Sequence, residues 1–227
     1  MIGNNSNPQN SLLSYLGGLK PIKGLGLEGS VLAPLGLSVR RKVFISFYHR
    51  EDQYYKDRFE SLFGHLFINK SVQNGDINTD VSTEYIKRLI QGPDFLLDAS
   101  VLVVLCGPNT WGRKHVDWEI SGALNKKLDG YSGILGLTLP SHPDFLLSEI
   151  ARQSIPPRLA ENIESGYAKQ YRWTEDPTEM SKRIEEAFSN RKNSGLIKNS
   201  LPQMQRNRST MKKSLAEVLY GETSGYE

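Results

Sequence analysis

The segment Thr110-Trp111-Gly112-Arg113-Lys114-His115-Val116-Asp117-Trp118-Glu119-Ile120 sets a glutamate among aromatic and apolar residues. At about 100° per residue, Glu119 falls beside Val116 and Ala123, on the flank of an inward-facing helical stripe. A partly buried carboxylate there invites a chemical explanation. The competing reading is a solvated glutamate in the early turns of a helix, favoured there by the helix dipole.

Other chemistries lack their first requirement. There is no G-x-x-x-x-G-K-[ST] loop, no G-x-S-x-G elbow and no H-E-x-x-H motif, which argues against P-loop nucleotide hydrolysis, serine-esterase chemistry and zinc proteolysis. A phosphorelay receiver needs an acidic pair after its first strand and an aspartate ending its third. This chain offers Ser46-Phe47-Tyr48-His49 and Cys106-Gly107-Pro108. The four histidines, His49, His65, His115 and His142, are not at metal-ligand spacing, so no metal site is expected. Gly24-Leu25-Gly26-Leu27-Glu28-Gly29 matches the dinucleotide pattern G-x-G-x-x-G. That loop needs a strand before it and a helix after it, whereas Pro21 precedes and Pro34 interrupts, so a flexible Gly/Leu segment is the favoured reading.

The elements that must position these residues follow from periodicity. Lys42 to Phe47 reads as a first strand, Asp52 to about His65 as an amphipathic helix, and Leu66 to Val72 as containing a short second strand. The polar loop Gln73 to Asp80 leads to Ser82, which can cap a helix over Thr83 to Gln91. Ala99 to Cys106 is a continuous apolar run, the mark of a strand buried on both faces. A helix is expected from about Lys114 to Leu128, a fourth strand over Ile134 to Leu139, a fifth over Ala168 to Trp173, and a closing helix over Pro177 to Phe188. Such alternation predicts an α/β fold with a doubly wound, mainly parallel five-stranded sheet. Its functional site belongs beyond the C-terminal strand ends, at the switch point of strand order.

Three motifs in order, Lys42-Val43-Phe44-Ile45-Ser46-Phe47, Asp80-Val81-Ser82-Thr83-Glu84-Tyr85-Ile86 and the segment from Thr110 to Ile120, together resemble the TIR-like proteins of bacteria, specifically the ThsB-type component of the Thoeris antiphage defence system. The resemblance covers residues 41 to 190 or so. It implies a flavodoxin-like TIR fold and NAD+ as substrate, with no further cofactor. In such enzymes a glutamate in the helix after the central strand assists cleavage of the nicotinamide-ribose bond. ThsB-type members rejoin the ADP-ribose product into a cyclic isomer, a second messenger that activates a separate effector. By position that glutamate is Glu119.

The resemblance further implies that Phe47, Tyr48 and the loop running through Asp80 to Ser82 form the nucleotide pocket, with Trp111 as another aromatic wall. Ordinary packing remains the alternative for each aromatic, and a loop-forming role for Asp80. A phage-derived trigger and assembly into a homo-oligomer with composite sites are also implied. The rival reading is a non-catalytic TIR interaction or sensor module that recognises a phage or host partner.

The chain of 227 residues carries 38% hydrophobic and 23% charged residues, an ordinary globular composition. No apolar run reaches the roughly 18 residues that a membrane span needs. The single cysteine, Cys106, fits a reducing compartment, and with no visible secretory signal a cytoplasmic location is expected. Of 28 basic residues, seven lie from Arg191 onward against three of 25 acidic ones, so the net charge of +3 sits in the C-terminal segment. The near-neutral remainder speaks against a folded nucleic-acid-binding face. The expected organisation is a leader over 1–40, one domain over 41–190 and a basic tail over 191–227, with Thr210 to Tyr220 suited to a short helix.

Overall fold

The protein is described here from a computed structural model that covers residues 40–71, 96–127 and 129–208. The leader with its G-x-G-x-x-G segment, the Gln73 to Asp80 loop, the Thr83 to Gln91 helix and the Thr210 to Tyr220 helix lie outside the described residues.

Five strands form one sheet in the order β2-β1-β3-β4-β5. They are β1 (Arg41–Ser46), β2 (Phe67–Asn69), β3 (Val101–Cys106), β4 (Gly133–Thr138) and β5 (Lys169–Arg172). Every pairing is parallel, with Phe44 opposite Leu102 and Val104 opposite Gly136. The expected doubly wound sheet is therefore observed. The order reverses between β1 and β3, which puts the switch point at the ends of those two strands.

Strand alternation divides the core into two layers. Phe44, Leu102, Val104 and Cys106 point to one face, where they meet Val116, Ile120 and Leu159. Those partners come from α2 (Lys114–Ala123) and α3 (Pro157–Glu164). Val43, Ile45, Val103 and Leu105 point to the other face and meet Phe59, Phe63, Met180 and Ile184. These belong to α1 (His49–Phe63) and α4 (Pro177–Asn190). Asp176 caps α4 by accepting a hydrogen bond from the Thr178 N–H, and Pro177 sits in its first turn.

Three features differ from the sequence expectation. The helix expected to reach Leu128 ends at Ala123, because the Ala123 carbonyl accepts the Ser132 N–H and the chain turns through Gly130 at φ 96°. Helix α3 is absent from the sequence reading, since eight residues after paired prolines offer little periodicity. The start of the expected basic tail is packed rather than solvated. Residues 197–208 run along α2 and α3 as a strap, with Met204 buried and most other contacts polar. Hydrogen bonds without an apolar period leave no trace in a hydrophobicity pattern.

Among the described residues no helix is long and apolar enough to cross a membrane.

Candidate functional site

Two chain segments meet at the switch point. After β1 come Phe47, Tyr48 and His49, and after β3 come Gly107 and the 3-10 turn Thr110–Gly112, which leads into α2. The first turn of α1 fixes this second segment. Asp52, buried, accepts a hydrogen bond from the Thr110 hydroxyl at 2.8 Å, and Thr110 Oγ1 in turn accepts the Gly107 N–H at 2.9 Å. The contact is so close that a Cβ on Gly107 would lie 2.0 Å from Asp52 Oδ1, so only glycine fits there. Burial pushes the Asp52 carboxyl up to about 6, against the opposing pull of the Thr110 hydrogen bond.

Glu119 occupies the second turn of α2 and is buried at 6% exposure. The two neighbours on its flank, Val116 and Ala123, are core residues as the helical spacing predicts. Among the described residues it has no ion pair. Burial pushes its carboxyl up to about 8, and the Ser46 hydroxyl opposes that shift. Ser46 alternates with Phe44 along β1 and so faces the α2 side of the sheet. Its Oγ is buried without a partner in full hydrogen-bond geometry. The solvated-glutamate reading is thus replaced by a buried carboxyl at the sheet edge that has no ion pair among the described residues.

The aromatic residues divide. Phe47 is 4% exposed and part of the core layer under α1, with His49 stacked on its ring at 4.1 Å between centroids. Tyr48 is half-buried, and the Arg113 guanidinium lies over its ring at 4.4 Å. Trp111 is buried, and its Nε1 has no partner among the described residues. A buried indole N–H ordinarily finds an acceptor. His115 is half-buried one turn before Glu119, its ring edge-on to Trp118 at 5.0 Å. Burial, then Lys114 and His49, holds its imidazole below the ordinary value and so neutral near pH 7. Sequence reading passed over both Ser46 and His115. The only signal for either was its register, one on β1 and one a turn before Glu119. Asp80 and Ser82 lie outside the described residues. No cluster of three or more His, Cys, Asp or Glu suited to a metal ion occurs among the described residues.

Comparison with known proteins gives a family match over part of the chain. Residues 44–144 match the family model described as "Thoeris protein ThsB, TIR-like domain". These residues form a ThsB-type TIR-like domain. The match runs from β1 to just beyond β4 and holds every described candidate residue, from Ser46 to Glu119. Helix α3, β5, α4 and the strap lie outside the matched residues. No curated protein matches the chain. Among solved structures, the TIR domains of the activated Roq1 resistosome, which directly recognizes the pathogen effector XopQ, are similar at 12% identity. That similarity covers 67% of this chain and 84% of the other, at a TM-score of 0.35.

Proposed function

We propose that this TIR-like domain consumes NAD+, cleaving the nicotinamide-ribose bond at Glu119 and closing the ADP-ribose product into a cyclic isomer. That product is a diffusible second messenger in antiphage defence and activates a separate effector protein. The observation that carries the reading is the buried Glu119 carboxyl at the β1/β3 switch point, without an ion pair among the described residues.

Scission of this N-glycosidic bond passes through an oxocarbenium-like state, and a carboxylate against the ribose stabilises the charge as it develops. Nicotinamide needs no strong acid to leave, because cleavage neutralises its ring cation. In the free protein the raised pKa keeps Glu119 protonated near pH 7. A bound nicotinamide cation favours the ionised form, so substrate binding expels the proton and delivers a carboxylate where the positive charge will appear. The activity kcat/KM then rises with pH toward about 8, the value of the free protein. Tyr48 and Trp111 supply aromatic surface for the nicotinamide or the base, and exclusion of water favours ring closure over hydrolysis. Phe47, stacked beneath His49, supports that wall from the core.

The test is mass-spectrometric analysis of NAD+ incubated with the wild-type chain and with Glu119→Gln, with and without lysate from phage-infected cells. Nicotinamide and an ADP-ribose isomer are expected from wild type, with the variant slower by about 10²- to 10³-fold. Near-full activity of a folded Glu119→Gln variant would remove Glu119 from the reaction. No product from folded wild type in either condition would leave a binding module in place of an enzyme.

A further inference from the structure

Residues 197–208 lie outside the matched TIR-like segment, yet they make the outer wall of the helix that carries Glu119. All eight residues from Val116 to Ala123 are buried, although four of them are Asp117, Glu119, Ser121 and Gly122. The sheet covers Val116, Ile120 and Ala123. The strap covers the opposite side through hydrogen bonds. The Met204 N–H donates to Asp117 Oδ2 at 2.8 Å, and the Trp118 indole N–H donates to the Met204 carbonyl at 2.9 Å. Asn199 donates to the Ser121 carbonyl at 3.1 Å.

Arg158 on α3 ties the arrangement together. It is fully buried, and its guanidinium donates to Asp117 Oδ1 at 3.0 Å, to Asn199 Oδ1 at 2.8 Å and to the Leu201 carbonyl at 2.9 Å. The strap ends at the site itself. The Arg208 N–H donates to the Gly112 carbonyl at 2.9 Å, beside Trp111. The Arg208 carbonyl accepts from Arg113, the residue that covers the Tyr48 ring.

We propose that residues 197–208 are a latch that holds α2 against the sheet through Asp117 and Arg158, so that Glu119 and the Trp111 turn keep their places. Asp117, Arg158, Asn199 and Met204 are therefore positioning residues for the reaction proposed above, on which their catalytic consequence rests. The latch is separable from the fold. Met204 is the one fully buried apolar residue of the strap and Ile197 packs against the core at its start, while the other attachments described above are hydrogen bonds of modest net strength. A segment held in this way opens locally at a lower cost than global unfolding. Release lets α2 move away from the sheet edge, and a displacement near 1 Å at a reacting group costs about 10²-fold in rate.

The experiment uses the full-length chain with Met204→Pro, which deletes the N–H donated to Asp117, and Asn199→Ala, which deletes the tie to Arg158 and Ser121. Met204→Leu serves as the conservative rescue and Ser200→Ala, at an exposed strap position, as the control. Three readouts are taken: amide hydrogen exchange, the titration of Glu119 by carboxyl NMR (assigned with Glu119→Gln), and NAD+ turnover.

In the two latch variants, amides of α2 are expected to exchange at least about tenfold faster while those of β3 and β4 stay protected. The Glu119 titration moves from about 8 toward the ordinary carboxylate range as water reaches it. Turnover falls in kcat with KM nearly unchanged, and Met204→Leu restores all three. Fast exchange of the strap with unchanged α2 protection and an unchanged Glu119 titration would overturn the latch. A loosened α2 in an enzyme that keeps full kcat would overturn the positioning role. If Met204→Pro also deprotects β3 and β4, Asn199→Ala decides. Wild type without product defeats the NAD+ reading alone, because exchange and titration still report on the latch.

Discussion

Asp117 and Glu119 stand two residues apart on one helix, both buried, and they live in opposite electrostatic worlds. Asp117 has a fully buried guanidinium at 3.0 Å and a backbone N–H at 2.8 Å. Glu119 faces the Ser46 hydroxyl and, among the described residues, no cation, and burial pushes its carboxyl up to about 8. A carboxylate whose partners come from α3 and the strap is committed to architecture. One left without a cation among the described residues, at the strand ends, is the candidate for chemistry.

The contrast is broken most forcefully from the Asp117 side. Removing Arg158 or Asp117 alone, as Arg158→Ala or Asp117→Ala, strands the other charge in the interior, and a loss of about 3–5 kcal/mol is expected in urea unfolding. The reverse profile is expected of Glu119→Gln: turnover falls by about 10²- to 10³-fold, corresponding to roughly 2.7–4 kcal/mol of transition-state stabilisation. Its unfolding midpoint near neutral pH does not fall. A Glu119→Gln variant that destabilised as much as Asp117→Ala would erase the distinction.

A smaller effect separates the two by pH. Glu119 binds its proton more tightly in the folded chain than in the unfolded one, so its contribution is complete below the unfolded value of 4.5. That contribution is lost as pH rises toward about 8. The slope reaches at most about 1.4 kcal/mol per pH unit for one proton. Asp52 adds the same sign only up to about 6, and the depressed imidazoles of His115 and His142 act in the opposite direction near their unfolded value. Subtracting the Glu119→Gln stability profile from that of wild type therefore isolates the window from 6 to 8. A flat difference there would show that Glu119 is not held in its neutral form. The smallest expected change comes from Ser46→Ala. It removes the one hydroxyl that favours the ionised carboxyl, so the rise in kcat/KM moves to higher pH while stability changes by no more than about 1 kcal/mol.

Much of the architecture is legible in the amino-acid sequence alone, because burial writes itself into spacing. The apolar run that contains Val101–Cys106 marks a central strand, and the helical spacing of Val116, Ile120 and Ala123 turns them toward it. That same spacing puts Glu119 on the flank of the apolar stripe, while Trp111 and Tyr48 stand out through their place at strand ends. What escapes is held by polar geometry. Arg158 and Asn199 look like surface residues, since nothing in their neighbourhood announces a partner some forty positions away. Ser46 hides within an apolar strand, where a small hydroxyl reads as filler. Phe47 lies at the right place and serves the core, because its register directs it to the α1 layer opposite Glu119.

The strap also bears on when the protein becomes complete during its synthesis. Trp118 and Met204 are 86 positions apart, and Arg113 and Arg208 are 95 apart. A chain growing from its N-terminus can pair β1, β3 and β4 and pack α1 and α2 long before residue 208 has emerged. The helix bearing Glu119 thus waits, with its polar outer side exposed to solvent, until residue 208 has left the ribosome. A late stretch finishes a site laid down early, and a translation product interrupted before residue 197 ends without it.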